Sequence, residues 1–205
     1  MARRVRTAPR KKPRQDRSVA TVDAILDATA RVLTTTGYDR ASTNRVAMAA
    51  GVSVGSLYQY FPSKEALVAA LATRHNAKMS ALVRAKLAEL AAAPMPVAVR
   101  AMIDAMFAAH AVDPKLHKVL IEEVPRIGQL ENLLAAERET EALVAALLES
   151  RKGELRRTDA ETMAFVLVHV VEAVTHASVI AEHAPARARR VADELTDMVL
   201  RYLVH

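Results

Sequence analysis

The stretch AGVSVGSLYQYFPSKEAL, residues 50–67, combines two tyrosines, a glutamine, three serines and a lysine with a short apolar skeleton. Its central part, residues 54–61, is predicted to be helical, since Ser53 can cap it and Pro62 ends it. At about 100° per residue, the apolar side chains fall on one side: Val54, Leu57 and Phe61. Small and polar residues fall on the opposite side: Gly55, Ser56 and Gln59. The stretch therefore predicts a short helix with a packing face and a narrow polar ridge.

This polar ridge has the shape and chemistry needed to enter the major groove of DNA. Gln59 and Ser56 can hydrogen-bond base edges, and Gly55 lets the backbone come close. Hydroxyls of the flanking tyrosines and N–H groups at the beginning of the helix can contact phosphates, as can the lysine that follows. We predict DNA contacts from the ridge and its flanks: Ser53, Val54, Gly55, Ser56, Tyr58, Gln59, Tyr60 and Lys64.

The preceding residues supply the other half of a helix-turn-helix. Ala47 is small enough for two helices to cross closely, Gly51 suits the turn, and Leu57 can pack between the helices. Polar and basic residues gather where this first helix begins and would meet the phosphate backbone: Ser42, Thr43, Asn44 and Arg45. Two arginines ahead of the motif complete the predicted DNA contacts: Arg14 and Arg17.

The run GYDRASTNRVAMAAGVSVGSLYQYFPSKEALVAAL, residues 37–71, resembles the TetR family of bacterial transcription regulators. A small helix, the AGVS turn, the LYQYF recognition helix and the SKEAL opening of the next helix occur in the family's order. The resemblance implies a DNA-binding regulator. It also implies that residues from about 93 onward form a ligand-sensing and dimerising domain.

The formal charge of +6 is unevenly distributed along the 205 residues. Residues 1–17 contain eight Lys/Arg and one acid, which gives +7; residues 18–92 contain eight and five, which gives +3. Residues 93–205 contain thirteen basic and seventeen acidic residues, which gives −4. A strongly cationic N-terminal part indicates a polyanionic partner. Together with the helix-turn-helix, we expect that partner to be double-stranded DNA.

Apolar periodicity without strand alternation predicts an all-α protein of about nine helices, with glycine and proline confined to the connections. We expect a disordered basic arm at residues 1–17, a helix-turn-helix domain at 18–64, and a ligand-sensing and dimerisation domain at 65–205. A long fourth helix would join the three-helix DNA-binding unit to a C-terminal bundle. The most apolar stretch, residues 163–181, carries Glu172 and two histidines, which favours a buried helix over a membrane span. We therefore expect a cytoplasmic protein.

The helix predicted from Asp159 to about His183 is apolar around most of its circumference, more than one neighbour can cover. The last helix has an apolar stripe of its own. Two such helices meeting their symmetry copies would form a four-helix dimer interface. We predict that this interface contains Val166, Val170, Val174, Val191, Leu195, Met198, Val199 and Tyr202.

An effector pocket would combine apolar and flexible side chains with a few polar groups. The residues that fit are Met102, Met106, Phe107, His110, Leu120, Ile121, Val124, Phe165, Val168, His169, Glu172 and His176. His169, Glu172 and His176 share one helix face, so a metal site with His110 or His117 is conceivable. Because the chain has no cysteine and no second tight cluster, we expect neither a metal site nor another cofactor.

The leading hypothesis is a ligand-responsive repressor that binds a palindromic operator as a dimer and is released by a small molecule. One alternative is a helical-bundle enzyme or metal-binding protein with an incidental helix-turn-helix. Another is a DNA-binding protein without an effector. No nucleophile elbow or glycine-rich loop is present, so we do not expect an enzyme.

Overall fold

The structure is a computed structural model and describes residues 16–123, 127, 130–181 and 184–204. These residues form nine α-helices, with one 3-10 turn at Lys152–Glu154 and no β-strand, as the sequence predicts. The helices are α1 Asp16–Arg40, α2 Thr43–Ala50, α3 Val54–Tyr60, α4 Lys64–Leu90, α5 Met95–His110, α6 Pro114–Glu123, α7 Leu130–Ser150, α8 Ala160–Ile180 and α9 Pro185–Leu203.

The described residues divide into two compact units. Residues up to 76, together with 115–132, form unit 1, and residues 77–114, together with 133–204, form unit 2. The division therefore falls within α4, and α6 belongs to unit 1. The domain boundaries expected from the sequence remain predictions.

Unit 1 surrounds a core drawn from α1, α2, α3, the first half of α4 and α6. Its most completely buried side chains include Ile25, Leu33, Leu57, Phe61 and Leu67. At the surface Arg74 of α4 lies 2.8 Å from Asp27 and 3.7 Å from Asp23 of α1, which ties the two helices together. The unit is thus a packed support for the two short helices α2 and α3.

Local chemistry determines where helices begin and end. Gly37 interrupts α1 with a φ of 74° and a ψ of 166°, so the regular part of the helix ends there. α8 begins next to Asp159, the residue at which the sequence predicts the start of this helix. Asp159 is the N-cap of α8, accepting the Thr162 N–H at 3.0 Å and its hydroxyl at 2.6 Å. The two oxygens of a carboxylate can accept both donors at once.

Unit 2 is built on α5, which packs against both α8 and α9. Its core combines Met95, Ile103, Met163, Leu195 and Leu203 with neighbouring apolar residues. Arg100 of α5 forms ion pairs with Asp104 and with Asp193 of α9. The amide of Arg156 donates to the carbonyl of Leu203 at 2.8 Å, which holds the end of α9 against the segment before α8.

Among the described helices, only α8 is by itself long and apolar enough to cross a membrane, with a mean hydropathy of 1.8. Only 22% of the most apolar 18-residue segment of α8 is buried within the protein. The helix nevertheless packs on α5 and α9 and carries His169, Glu172 and His176, which a lipid-facing helix avoids. Much of its apolar surface is left uncovered by its own chain.

Candidate nucleic-acid interface

The helix-turn-helix is formed by α2, a glycine turn and α3. Ser42 caps α2 by accepting the Arg45 N–H at 3.3 Å, and Ser53 caps α3 by accepting the Ser56 N–H at 3.0 Å. Gly51 ends α2 with a φ of 69° and a ψ of 25°, a left-handed conformation that strains residues with a Cβ. Two serines and one glycine therefore determine the geometry of the turn.

The motif is held on its support by apolar packing and by one long-range hydrogen bond. Leu57 is 0% exposed and Phe61 is 1% exposed in the core of unit 1, while Ala47 is 1% exposed at the contact between helices. Arg31 of α1 donates to the carbonyl of Ala49 at 3.0 Å, which satisfies a carbonyl near the end of α2. Because both ends of the motif are anchored, α3 presents a defined face to solvent.

That solvent-facing side carries the predicted ridge. Gly55 and Gln59 are exposed, and Ser56 is partly exposed. Among the described residues no hydrogen bond holds the Gln59 amide, so it is available to a base edge. A Cβ at Gly55 would meet only the Ser53 hydroxyl oxygen, at 3.9 Å, so the space above this residue is open.

Val54 does not pack as predicted. Its side chain is 38% exposed, whereas Leu57 and Phe61 on the same predicted face are buried. Tyr60, predicted to contact phosphate, is only 9% exposed and belongs to the core. On the wheel both residues lie about 60° from Leu57, on opposite sides, so the wheel angle alone does not decide which of them is buried.

Tyr58 is the tyrosine that remains outside. Its side chain is 39% exposed, and its hydroxyl lies 3.0 Å from the Thr43 hydroxyl oxygen of α2. The structure thus brings together two residues that the sequence predicts as separate phosphate contacts. Their hydrogen bond fixes the position of the Tyr58 hydroxyl beside the beginning of α2.

Lys64 has a partner that sequence reasoning missed. Its ammonium donates to the carbonyl of Tyr38 at 2.9 Å and lies 3.9 Å from the centre of the Tyr38 ring. Burial, followed by the nearby carboxylates of Glu65 and Glu123, raises the pKa of Tyr38 to about 12. The two residues are 26 positions apart, so no local pattern indicates this contact.

The other predicted DNA contacts divide into described and undescribed residues. Ser42, Asn44 and Arg45 are exposed at the beginning of α2. Arg14 lies outside the described residues, and of Arg17 only the helical backbone is described. Ser53 and Ser56 bond each other through their hydroxyls at 2.8 Å, so both are already engaged at the beginning of α3. Met48, which sequence reasoning did not select, is 79% exposed on α2.

The residues predicted for the effector pocket lie in both units. Leu120 is 5% exposed in the core of unit 1, where Ile121 is partly buried; Val124 lies outside the described residues. In unit 2 His110 is buried, and the partly buried residues are Met102, Met106, Phe107, Val168, His169, Glu172 and His176. Phe165 is 55% exposed, so within its own chain it does not line an internal cavity.

Some of the residues predicted for the dimer interface are buried within their own chain, and others are exposed. Leu195 and Val199 are 3% and 5% exposed and face the core of unit 2, so they are not available to a partner. Val170, Val174 and Tyr202 are partly buried against the same core, and Val166 and Val191 are partly exposed. Met198 is 47% exposed. The stripe of α9 thus packs mainly within its own chain, and the uncovered apolar surface lies mostly on α8.

Comparison with known proteins places this geometry in a family. Residues 25–71 match the family model described as bacterial regulatory proteins, tetR family. Residues 94–203 match the model described as tetracyclin repressor-like, C-terminal domain. No curated protein matches the sequence.

Solved structures share the fold at low identity. A TetR-family transcriptional regulator from Pectobacterium atrosepticum is 18% identical with a TM-score of 0.72, covering 94% of this chain and 99% of that one. The fatty acid degradation regulator FadR from Bacillus halodurans is 20% identical with a TM-score of 0.73, covering 92% and 97%.

SmeT, the repressor of a multidrug efflux pump of Stenotrophomonas maltophilia, is 22% identical with a TM-score of 0.66 and coverage of 91% and 93%. A complex of SmeT with triclosan matches at 20% identity and a TM-score of 0.67, covering 91% of this chain and 92% of that one. The helix-turn-helix geometry and the two family matches, the longer of which spans more than half of the sequence, lead to one conclusion: the chain belongs to the TetR family of bacterial transcription regulators.

Proposed function

We propose that the protein is a repressor that binds a palindromic operator as a homodimer in the cytoplasm and releases it when a small molecule binds. The observation that carries this proposal is the exposed ridge of α3, with Gly55 and Gln59 on a helix whose other face is anchored by Leu57 and Phe61. A helix presented in this way fits the major groove, where amide side chains read adenine and glycine permits close approach.

Dimerisation is supported by the uncovered face of α8. This helix is the most apolar in the described chain, yet only 22% of its most apolar 18-residue segment is buried. Phe165 projects from α8 with 55% exposure, and Met198 of α9 has 47% exposure. Exposed apolar surface of this kind indicates a protein–protein contact, and a two-fold pairing of α8 and α9 would cover it.

In such a dimer the two copies of α3 would lie roughly 34 Å apart, one helical turn of DNA. Each copy would then meet the same groove on the same side of the duplex. The operator is therefore expected to be palindromic, with half-site centres separated by about 10 base pairs.

Effector release is supported by the polar residues within the apolar interior of unit 2. His110 is buried on α5, and Glu172 and His176 are partly buried on α8. Polar groups among methionine and aromatic side chains are typical of a small-molecule site. The relative SmeT is a repressor that was solved with triclosan, which agrees with release by an organic molecule.

The experiment that tests the proposal is a mobility-shift titration of the purified chain against the DNA flanking its own coding region. A shift resistant to excess random duplex, with footprints on two symmetric half-sites, is expected. Cell extract fractions added to the preformed complex should then release the DNA. Equal affinity for flanking and random DNA would contradict operator binding, and a complex that no extract fraction dissociates would contradict effector release.

A further inference from the structure

The exposed apolar side chains of unit 1 are concentrated on the helix-turn-helix. Among the described residues of this unit, the large apolar side chains that are exposed are Val19 at 43%, Met48 at 79%, Val54 at 38% and Tyr58 at 39%. Three of these four lie on α2 or α3. The surface expected to meet DNA therefore carries most of the unit's exposed apolar side chains, although phosphates favour polar and basic ones.

Val54 is the exposed apolar residue best placed to meet a base. It is the first residue of α3, the helix that carries the ridge. In a helix-turn-helix the first residues of the recognition helix contact base edges, whereas the preceding helix crosses the phosphate backbone. Met48 lies on that preceding helix, α2, and the Tyr58 hydroxyl is held 3.0 Å from the Thr43 hydroxyl. Of the three apolar side chains on the motif, Val54 is thus the one expected to face the base pairs.

The position of the Val54 side chain is fixed by its neighbours in the protein. Ser53 accepts the Ser56 N–H at 3.0 Å, which holds the first turn of α3, and Leu57 is 0% exposed in the core below it. Valine also has few rotamers because its Cβ is branched, so little side-chain entropy is lost when its methyl groups are covered. The protein therefore presents these methyl groups from a defined position.

Few hydrogen-bonding groups accompany Val54 in the first turn of α3. The hydroxyls of Ser53 and Ser56 lie 2.8 Å apart and bond each other, and Gly55 has no side chain. The exposed amide of Gln59 follows Val54 by about 7.5 Å along the helix axis, at 1.5 Å per residue. A base facing the first turn would therefore be met mainly by the methyl groups of Val54.

Thymine is the base that presents an apolar group in the major groove, its C5-methyl. A valine placed against hydrogen-bonding atoms of another base would remove water from them without supplying a hydrogen bond, which is unfavourable. We infer that Val54 contacts the C5-methyl of one thymine in each half-site and so selects that base. The inference rests on the proposed operator binding and adds the chemistry by which one base of the operator is read.

The test uses the duplex that wild type selects from a randomised pool, with each thymine replaced in turn by deoxyuridine. Deoxyuridine pairs with adenine as thymine does but lacks the C5-methyl group. One thymine per half-site should be sensitive to this replacement in mobility-shift titrations with wild type. Loss of its methyl group should weaken binding about fourfold in one half-site and about fifteenfold in both, as expected for one buried carbon each.

Two variants connect this sensitivity to Val54. Val54→Ala removes the contacting methyl groups, so its affinity should be the same for thymine and for deoxyuridine at the sensitive position. Val97→Ala is the matched control, because Val97 is also an exposed valine near the beginning of a helix, 54% exposed on α5 of unit 2. This control should keep the wild-type sensitivity to loss of the methyl group.

Folding of each variant is checked by its unfolding temperature. If Val54→Ala does not fold, Val54→Ser takes its place, because serine also lacks the two methyl groups and suits the beginning of a helix. Operator-specific binding in which no thymine is sensitive to loss of its methyl group would overturn the inference and leave operator binding standing. Equal sensitivity in wild type and in the folded Val54 variant would do the same. Equal affinity of wild type for every duplex would overturn operator binding, and the inference with it.

Discussion

Gly55 has no side chain at the point where the ridge of α3 is expected to come closest to DNA. Inside the protein an alanine fits, because its Cβ would meet one atom at 3.9 Å. Replacing glycine by alanine within a helix also stabilises the folded state by about 0.5–1 kcal/mol. We therefore predict that Gly55→Ala leaves the unfolding temperature equal or higher while operator affinity falls about tenfold, since a methyl group enters the groove contact.

The matched control is Gly153→Ala, which also has open space around its new methyl group but lies in unit 2. It should bind the operator like wild type. Urea unfolding and mobility shifts measured on the same preparations separate stability from affinity. Unchanged operator binding by Gly55→Ala would mean that this face of α3 does not approach DNA closely.

Gln59 is the ridge residue best placed to distinguish bases. Its amide is exposed, and amides bind adenine through paired hydrogen bonds in the major groove. We predict that Gln59→Ala lowers affinity for the preferred operator by about 1–3 kcal/mol and relaxes the preference at one position of each half-site. Selection from a randomised duplex pool measures both effects. An equal loss on specific and random DNA would contradict base reading.

Lys64 illustrates a contact that sequence reasoning assigned to phosphate. Because its ammonium lies against the ring and carbonyl of Tyr38, we propose that its main role is to hold α4 against the end of α1. Lys64→Met should then lower the free energy of unfolding by about 1–2 kcal/mol, through the lost cation–π contact and hydrogen bond.

Salt titration of DNA binding separates the two roles of Lys64. The slope of log affinity against log salt should stay the same in Lys64→Met. The comparison variant Arg45→Met removes an exposed cation at the beginning of α2, and should flatten the slope by about two units per dimer. If Lys64→Met flattened the slope similarly and left stability unchanged, Lys64 would be a phosphate contact, as the sequence predicts.

At the scale of elements, periodicity and capping residues predicted which segments are helical. Regular helix ends at Gly37 and Gly51, where the backbone has a positive φ of 74° and 69° that glycine adopts readily. Pro185 begins α9, because proline suits the first position of a helix. Periodicity was less informative about which apolar side meets which neighbour. The stripe of α9 is the same whether Leu195 faces its own core or a partner, and only the packing on α5 decides.

Contacts between distant residues account for most of what the sequence could not predict in the candidate site. Lys64 meets Tyr38 across 26 positions. A helical wheel gives an angle for Tyr60 and Val54 but not the extent of the core beside them. The ridge itself was predictable, because Leu57 and Phe61 determine the orientation of α3 through local spacing alone.

The uncovered face of α8 leads to a prediction about assembly. Phe165 is 55% exposed, and a two-fold interface would bury it twice, at about 1.5–3 kcal/mol per side chain. Phe165→Glu should therefore raise the dimer dissociation constant by about 10²- to 10⁴-fold and give monomers in sedimentation at micromolar concentration.

Val112→Glu provides the control for this substitution. Val112 is an apolar residue of unit 2 that is 84% exposed and lies outside α8 and α9, so the same change of charge should leave the dimer intact. Matching dimer sedimentation by Phe165→Glu and Val112→Glu would contradict an interface on α8. A monomer in both would show that added negative charge alone prevents association.

At the scale of the whole molecule, the charge distribution gives the DNA-binding part its own attraction. Residues 1–17 carry +7 and residues 18–92 carry +3, while residues 93–205 carry −4. The ridge of α3 therefore follows a strongly cationic segment in the chain. Sequence-independent attraction to phosphate would come mainly from that segment, and sequence reading from α3.

Most of the basic arm, residues 1–15, lies outside the described part of the chain. Eight Lys/Arg at positions 1–17 precede and enter α1, which belongs to the same unit as the ridge. Such an arm can follow phosphates or enter a neighbouring minor groove, where arginine is favoured by the negative potential. Each phosphate neutralised contributes about 0.9 to the salt slope for duplex DNA.

If about three of these cations engage in each subunit, deleting residues 2–14 should flatten the slope by roughly five units per dimer. Affinity should fall most at low salt, where released counterions contribute most to binding. The operator core selected from random DNA should stay the same, because Gln59 and Gly55 are untouched by the deletion. A slope that does not change after deletion would show that the arm is a solvated extension with no contact to DNA.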